Sequence, residues 1–279
     1  MICFPNAKIN LGLHVINKRE DGFHNIETVF YPIPLCDMLE AVPLQVADQS
    51  LPYRFTAAGL PIITQEQDNL VLKAFKLLKR DFYIAPTDIC LYKSIPMGAG
   101  LGGGSADAAF TLTLLNNLYQ LNIPESQLKI YAEQLGSDCA FFIDNKPSYL
   151  YGKGHELESY AISLKGWYLV LIAPEVHSNT AIAYSQVKRR EVLDEQLSLK
   201  NLLKLPVNQW KETIFNDFEK SVFAAYPQLA EFKKVFYDTG ASYASMSGSG
   251  SSIFGLYSAE PKLPENLHRL VVYSGHLGI

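Results

Sequence analysis

The chain has 279 residues, of which 48% are hydrophobic and 19% are charged, and its formal net charge is −4. This length provides one large or two modest domains with a sizeable core, and the composition is that of a globular protein. The negative net charge excludes a nucleic-acid binder that relies on a broad basic surface.

The sequence carries no recognisable targeting or membrane segment. Residues 1–10 lack a charged stretch followed by an apolar one, and no apolar run approaches the roughly 20 residues that cross a bilayer. The four cysteines, Cys3, Cys36, Cys90 and Cys139, lack the spacing of metal ligands or redox pairs. We therefore expect a cytoplasmic protein with reduced thiols that binds neither nucleic acid nor membrane.

In the first half of the chain, residues 1–60 predict strands and turns. Alternating apolar and polar residues predict strands over 8–16 and 26–32, separated by a turn at 19–22. Asn69 begins a helical pattern through Leu78, with apolar residues at i, i+3 and i+4. The other predicted elements of this half are a short strand over 89–92 and helices over 106–118 and 124–135.

The second half alternates less regularly. The residue pattern predicts a strand over 167–172, a mostly helical stretch over 216–237, strands over 242–246 and 252–256 around a Gly/Ser turn, a short helix over 263–270 and a final strand near 271. Strands and helices without regular βαβ alternation predict an α+β protein of two lobes, which we divide near residue 160.

A glycine-rich segment lies between a predicted strand and a predicted helix. Five of the seven residues from 98 to 104 are glycine, so that backbone N–H groups can approach an anion closely. The N-terminus of the following helix also favours negative charge. This arrangement suits the phosphates of a nucleotide, and the predicted contacts are Pro96, Met97, Gly98, Ala99, Gly100, Leu101, Gly102, Gly103, Gly104 and Ser105.

Other nucleotide-binding loops fit this segment less well. A P-loop requires a lysine after the last glycine, and the sequence has none there. The spacing Gly98-x-Gly100-x-x-Gly103 is that of a dinucleotide fingerprint, but a second helix follows instead of a second parallel strand ending in an acidic residue. Protein-kinase catalytic signatures are also missing from the sequence. From the residues alone, a flexible turn remains the alternative.

Two charged residues are candidates for catalysis. A kinase that acts on an alcohol must place the hydroxyl oxygen in line with the γ-phosphoryl group and share or remove its proton. Lys8 interrupts an otherwise apolar strand, and Asp138 precedes an apolar helical stretch. A solvent-facing strand lysine and a carboxylate at a helix N-terminus explain these positions equally well. The residues alone leave both interpretations open.

Several segments together resemble the superfamily of galactokinase, homoserine kinase, mevalonate kinase and phosphomevalonate kinase (GHMP). Residues 5–11, 95–109 and 244–255 are similar to its three motifs, and 136–138 to the segment with its catalytic aspartate. The resemblance implies an ATP-dependent small-molecule kinase in which Asp138 is the base or orients the hydroxyl. Lys8 would keep that carboxylate ionised, and Mg²⁺ would be required, with Ser105 as a ligand.

The superfamily resemblance also implies a fold. Residues 1–160 would form an N-terminal lobe like domain 2 of ribosomal protein S5, with Lys8, the glycine-rich segment and Asp138. Residues 161–279 would form an α/β-sandwich lobe with the third motif, whose Ser247 and Gly248 would lie against the phosphates and the substrate.

A finer resemblance, over nearly the whole chain, is to the family of 4-diphosphocytidyl-2-C-methyl-D-erythritol kinases of the non-mevalonate isoprenoid pathway. Residues 21–28, 174–184 and 216–219 are similar to its characteristic segments. The resemblance implies phosphorylation of the 2-hydroxyl of a CDP-linked sugar alcohol, with the cytosine stacked between aromatic rings. The implied substrate contacts are Asn10, Phe23, His24, Thr180, Tyr184, Ser247 and Gly248.

Three residues depart from the pattern of this family. Phe23 replaces a tyrosine, which keeps a stacking ring without its hydroxyl, and Ala140 replaces a proline after the catalytic aspartate. Asp107 replaces an asparagine, and an acid near a helix N-terminus opposes bound phosphate. Another GHMP kinase, such as a homoserine or mevalonate kinase, and a non-catalytic nucleotide-binding protein remain as alternatives. We expect a monomer or a weak homodimer.

Overall fold

The computed structural model describes residues 1–44, 51–176, 183–184 and 197–278. The chain divides into two compact, discontinuous units. Unit 1 comprises Met1–Ala7, Pro34–Met97 and Gly102–Lys146, and unit 2 comprises Lys8–Ile33, Gly98–Leu101 and Pro147–Ile279. The predicted lobes divide the chain once, near residue 160, and that boundary stays a prediction.

The strands are mostly short, except for two of 13 residues near the N-terminus. In chain order they are β1 (Ile2–Cys3), β2 (Asn6–Lys18), β3 (His24–Cys36), β4 (Met38–Pro43), β5 (Tyr53–Gly59), β6 (Thr87–Lys93), β7 (Ser148–Tyr151), β8 (Glu156–Ser159), β9 (Tyr168–Ile172), β10 (Tyr243–Met246), β11 (Ile253–Tyr257) and β12 (Val271–His276).

The helices range from one turn to 16 residues. They are α1 (Leu70–Asp81), α2 (Gly103–Leu118), α3 (Glu125–Leu135), α4 (Phe141–Asp144), α5 (Leu199–Leu202), α6 (Glu219–Ala225), α7 (Pro227–Asp238) and α8 (Glu265–His268), with 3₁₀ turns at Glu66–Asp68 and Val207–Glu212. Within the described ranges, no helix is both long and apolar enough to span a bilayer.

Unit 1 contains a four-stranded sheet in the order β1-β4-β6-β5, in which only β5 runs parallel to its neighbour. The predicted start of α1 is confirmed, because the Asn69 side chain accepts a hydrogen bond from Val71 N at 2.9 Å and caps the helix. Val71, Phe75 and Leu78 form its buried stripe. The stripe fixes the rotation of α1, which packs along α2.

Unit 2 contains an antiparallel sheet in the order β10-β11-β9-β12, and its two central strands are completely buried. Its core also receives Leu13 and Val15 from β2 and Phe236 from α7. A further sheet has the order β2-β3-β7-β8, so the two long N-terminal strands share a sheet with a hairpin from the middle of the chain.

Two details of the predicted elements need correction. The helical stretch over 216–237 is interrupted at Tyr226, after which Pro227 begins α7 with the fixed backbone angle suited to a first helical position. Asp138 lies in a turn, and the short helix α4 begins only at Phe141. The carboxylate therefore precedes the helix instead of lying in its first turn.

Candidate active site

The glycine-rich loop requires glycine because of its backbone geometry. Gly98, Gly100 and Gly102 have φ angles of +67°, +78° and +71°, a left-handed region that other residues rarely adopt. At Gly100 an added Cβ would lie 2.9 Å from the Ser247 carbonyl carbon and closer still to its oxygen. Gly102 caps the N-terminus of α2. The loop thus ends directly at a helix terminus that favours anions.

Three consecutive carbonyl groups hold this loop against the rest of unit 2. Ser252 N donates to Ala99 O at 3.2 Å, the Ser247 hydroxyl donates to Gly100 O at 2.8 Å, and Lys8 N donates to Leu101 O at 3.0 Å. These donors come from β2 and from the β10–β11 turn. The structure therefore brings the first and third motifs directly against the loop.

The segment 216–219 shapes the β10–β11 turn, a role that the sequence did not reveal. Asn216 Nδ2 donates to Met246 O and to Gly248 O, both at 2.8 Å. Glu219 Oε1 accepts a hydrogen bond from Met246 N at 2.9 Å. The β10 side of the turn is therefore fixed by buried side chains from one short segment. The similarity of the segment 216–219 to a family signature indicated that it is important but did not identify the residues that it contacts.

Lys8 is buried, with only 3% of its surface exposed. Its Nζ donates to Asn10 Oδ1 at 2.7 Å and lies 4.1 Å from the centre of the Phe30 ring. Because an ammonium group is buried only where other groups compensate its charge, the interpretation of Lys8 as a solvent-facing strand residue is wrong. Asn10 is also buried, and its backbone N donates to Ser247 Oγ at 3.3 Å.

In unit 1, Asp138 lies half-buried in the turn that follows α3. The Ser137 hydroxyl donates to Asp138 Oδ1 at 3.2 Å. The adjacent Cys139 is buried, which raises the pKa of its thiol to about 12, although a hydrogen bond with Ser105 acts in the opposite direction. The thiol is therefore an inert neighbour of the loop helix. The turn forms with Ala140 in place of the family's proline.

A pocket of about 100 Å³ in unit 1 adjoins the end of the glycine-rich loop. Apolar side chains form most of its wall, and Gly104, Lys93 and Asp107 stand at one side; the apolar residues are Ile62, Leu70, Val71, Leu91 and Met97, and Thr64, Asp68 and Asn69 complete the lining. A small, flat, mostly apolar ligand fits such a wall.

Asp107, a departure from the family pattern, is part of a buried charge cluster. Its carboxylate pairs with Lys93 at 2.7 Å, and Lys93 also pairs with Asp37. Burial raises the pKa of Asp107 to about 7; the Lys93 charge opposes that shift, and the Asp37 charge adds to it. The expected repulsion between Asp107 and phosphate is thus reduced by a neighbouring cation.

Residues 69–146 match the family GHMP kinases N terminal domain, and residues 198–269 match GHMP kinases C terminal. A 4-diphosphocytidyl-2-C-methyl-D-erythritol kinase of Bacteroides fragilis is 52% identical over 263 residues, 94% of each chain. The chain belongs to this kinase family. It is an ATP-dependent small-molecule kinase, and the predicted family and enzyme class are confirmed.

Solved structures agree with this assignment. A crystal structure of a 4-(cytidine 5'-diphospho)-2C-methyl-D-erythritol kinase superposes with a TM-score of 0.81 at 30% identity and covers 100% of both chains. The mevalonate kinase of Methanococcus jannaschii superposes with a TM-score of 0.68 at 14% identity, covering 96% of this chain and 92% of its own. The latter likeness shows the shared fold alone, and the predicted GHMP kinase fold is confirmed.

The aromatic residues expected to bind the base contact other side chains of this kinase. His24 stacks on Tyr184 with the ring centres 4.7 Å apart, and Tyr184 meets the Phe218 ring edge-to-face. Phe23 is exposed, and the Lys153 ammonium lies 4.8 Å from its ring centre. Thr180, the remaining predicted contact in this region, lies outside the described residues.

The predicted site residues of this kinase are distributed over both units. In unit 2, Lys8, Asn10, Ser247 and the loop residues 99–101 form one hydrogen-bonded group, and Gly98 belongs to the same unit. Gly248 joins it through the Asn216 side chain. Pro96, Met97, Gly102, Gly103, Gly104, Ser105 and Asp138 belong to unit 1. Their individual roles stay predictions.

Proposed function

We propose that this kinase transfers the γ-phosphoryl group of ATP to the 2-hydroxyl of 4-diphosphocytidyl-2-C-methyl-D-erythritol, a step of the non-mevalonate (methylerythritol phosphate) isoprenoid pathway. The observation that carries the proposal is the 52% identity, over 94% of the chain, to a kinase named for that substrate. The buried Lys8–Asn10 pair beside the glycine-rich loop supports it from the structure. The likeness to mevalonate kinase concerns the fold and does not favour mevalonate as the substrate.

In this proposal the glycine-rich loop binds the phosphates of ATP. Its carbonyl groups at 99–101 accept hydrogen bonds from protein donors, and its N–H groups would bind the phosphates. The apolar pocket beside Gly104 takes the purine base, because a flat base matches its size and its mostly apolar wall.

Asp138 and Lys8 carry the chemistry of the proposed reaction. Asp138 orients the acceptor hydroxyl and takes its proton while the new O–P bond forms and the bond from the γ-phosphorus to the β–γ bridging oxygen breaks, releasing ADP. Lys8 supplies positive charge, and Asn10 holds its ammonium at 2.7 Å. Phe23, His24 and Tyr184 contact the cytosine, Thr180 a diphosphate oxygen, and Asn10, Ser247 and Gly248 the rest of the substrate.

Mg²⁺ would be held in this site by few protein groups. The described residues contain no group of three or more His, Cys, Asp or Glu side chains that could hold a metal ion, so the ion would take most ligands from phosphates and water, as Mg²⁺ usually does. Ser105, at the start of α2, would supply a hydroxyl oxygen. When bound, Mg²⁺ neutralises charge on the transferring phosphoryl group.

We further propose that the protein is cytoplasmic and is a monomer or weak homodimer. Its four cysteines are free thiols, as is usual in a reducing compartment. Neither nucleic acid nor membrane is among its proposed partners.

The test is ADP release with ATP, Mg²⁺ and 4-diphosphocytidyl-2-C-methyl-D-erythritol, run beside homoserine and mevalonate. We expect turnover only with the cytidylyl substrate, and a loss of about 10²- to 10⁴-fold in kcat for Asp138→Asn with ATP binding retained. Asp144→Asn is the matched control, because this nearby carboxylate pairs with Lys129 at 2.7 Å and has no part in the proposed chemistry.

Two results would contradict the proposal. Turnover with homoserine or mevalonate instead of the cytidylyl substrate would place the chain elsewhere in the superfamily. Full activity of Asp138→Asn would remove Asp138 from the mechanism.

A further inference from the structure

Thr28 is a buried hydroxyl that the proposed chemistry does not use. It lies on β3 with 1% of its surface exposed. Its Oγ1 donates to Gly12 O at 2.6 Å, in the middle of β2, where Gly12 has a φ of +69°. A left-handed glycine within a strand is typical of a β-bulge, which turns the carbonyl out of its regular direction. The Thr28 hydroxyl therefore binds a carbonyl at the irregular point of β2.

This hydrogen bond determines what the Thr28 hydroxyl can do on its other side. A hydroxyl has one proton to donate, and Thr28 gives it to Gly12 O. Toward any other partner its oxygen can only accept. Asn10 Nδ2 lies 2.9 Å from this oxygen and is a donor. A hydrogen bond between Thr28 and Asn10 therefore forms only when the Asn10 amide presents its nitrogen to the Thr28 oxygen.

The orientation of the amide then determines which of its atoms faces Lys8. With Nδ2 toward Thr28, the amide oxygen Oδ1 lies on the opposite side, where it accepts from Lys8 Nζ at 2.7 Å. If the amide turned over, its NH₂ group would face an ammonium, and two donors would meet without an acceptor. Such a mismatch in a buried site is costly.

We propose that Thr28 is a positioning residue for phosphoryl transfer, acting through Asn10 to hold the Lys8 ammonium in place. The inference deepens the proposed function and rests on it, because it assumes that Lys8 assists the reaction. Thr28 itself touches neither ATP nor the acceptor in this proposal. Its effect should therefore appear in kcat and not in the affinity for ATP.

Kinetics of paired variants test this role. Thr28→Val keeps the shape of the side chain and removes the acceptor, and we expect kcat to fall about tenfold, with KM for ATP unchanged within about twofold. Thr28→Ser keeps the hydroxyl and should stay within about twofold of wild type. In an Asn10→Ala background, Thr28→Val should have no further effect, because the residue through which it acts is gone.

Some kinetic outcomes would overturn the inference. Equal losses in Thr28→Val and Thr28→Ser would point to packing, and an undiminished effect of Thr28→Val in the Asn10→Ala background would show that Thr28 does not act through Asn10. Thermal melts confirm that each variant is folded at the assay temperature, and Thr28→Ala replaces Thr28→Val if the latter is not.

A second measurement does not depend on turnover. In ¹⁵N-labelled protein, the Asn10 side-chain amide signal, assigned by its loss in Asn10→Ala, should shift in Thr28→Val or Thr28→Ala and remain in place in Thr28→Ser. An unchanged signal in all variants refutes the inference. If wild type fails to phosphorylate the cytidylyl substrate while this signal behaves as expected, the proposed function fails and the Thr28–Asn10 coupling stands.

Discussion

Replacement of Gly100 by alanine should damage the phosphate loop far more than the same replacement at Gly98. Both glycines have left-handed backbones, with φ angles of +78° and +67°, and alanine in that region costs about 1–2 kcal/mol. The added Cβ at position 98 meets nothing within 4 Å. At position 100 it would lie 2.9 Å from the Ser247 carbonyl carbon and 3.3 Å from Gly250 O.

The overlap at position 100 involves backbone atoms, which cannot move aside as a flexible side chain would. Overpacking of this kind costs about 1–3 kcal/mol, so we expect Gly100→Ala to lower the free energy of unfolding by about 2–5 kcal/mol. Gly98→Ala should lower it by about 1–2 kcal/mol. Alanine restricts the unfolded chain similarly at both positions, and the difference between the variants therefore isolates the clash.

Urea denaturation and ATP titration of the two variants measure this difference. Because Gly100 O accepts the Ser247 hydroxyl at 2.8 Å, relief of the clash would pull the loop from its support, and we expect weaker ATP binding in Gly100→Ala than in Gly98→Ala. Equal losses of stability, or wild-type ATP affinity in Gly100→Ala, would refute the contact between the loop and the β10–β11 turn.

Two further variants probe buried carboxylates. Burial raises the pKa of Asp107 to about 7. The protonated carboxyl group therefore contributes to the stability of the fold in full below the ordinary pKa of an aspartate, and this contribution is lost as the pH rises to about 7. Urea unfolding at pH 5 to 8 should therefore show a steeper loss for wild type than for Asp107→Asn, and parallel profiles would contradict this. Glu27→Gln should cost about 2–4 kcal/mol, since Glu27 Oε1 and Oε2 accept from His14 at 2.9 Å and Tyr149 at 2.6 Å. Exposed Glu158→Gln, the control, should cost under about 1 kcal/mol, and a similar loss in both would refute the role of Glu27.

Elements with a strong local pattern were predictable from the sequence. Helix α1 shows its cap and its buried stripe in a continuous run of residues, so its start and its buried face followed directly. The four-residue strands β7 and β8 were not predicted, because their strand conformation depends on pairing with residues distant in sequence. Their pairing depends on β3, more than 100 residues earlier, where Thr28 lies opposite Leu150.

The candidate site was likewise predictable from the sequence only in part. The glycine-rich loop and the lysine strand were recognisable because their residues are adjacent in sequence. The groups that hold them were not, since Lys93 and Asp37 are 56 residues apart and Asn10 and Ser247 are 237 apart. Hydrogen bonds of this kind follow from the tertiary structure and leave no spacing in the sequence.

The arrangement of His24 and Tyr184 constrains the proposed cytosine contact. A base can stack directly on Tyr184 only where that ring is uncovered, but His24 covers one face at 4.7 Å, and Phe218 packs against the ring at the same centre-to-centre distance. Stacking of a base on the face of Tyr184 that His24 covers therefore requires His24 to move. With His24 in place, a base in the proposed site would meet the imidazole before that face of Tyr184. The contact of Tyr184 with Phe218 then supports the ring on which His24 stacks, and in the proposed function Phe23 would have to leave the Lys153 ammonium, 4.8 Å from its ring centre, to close over the base.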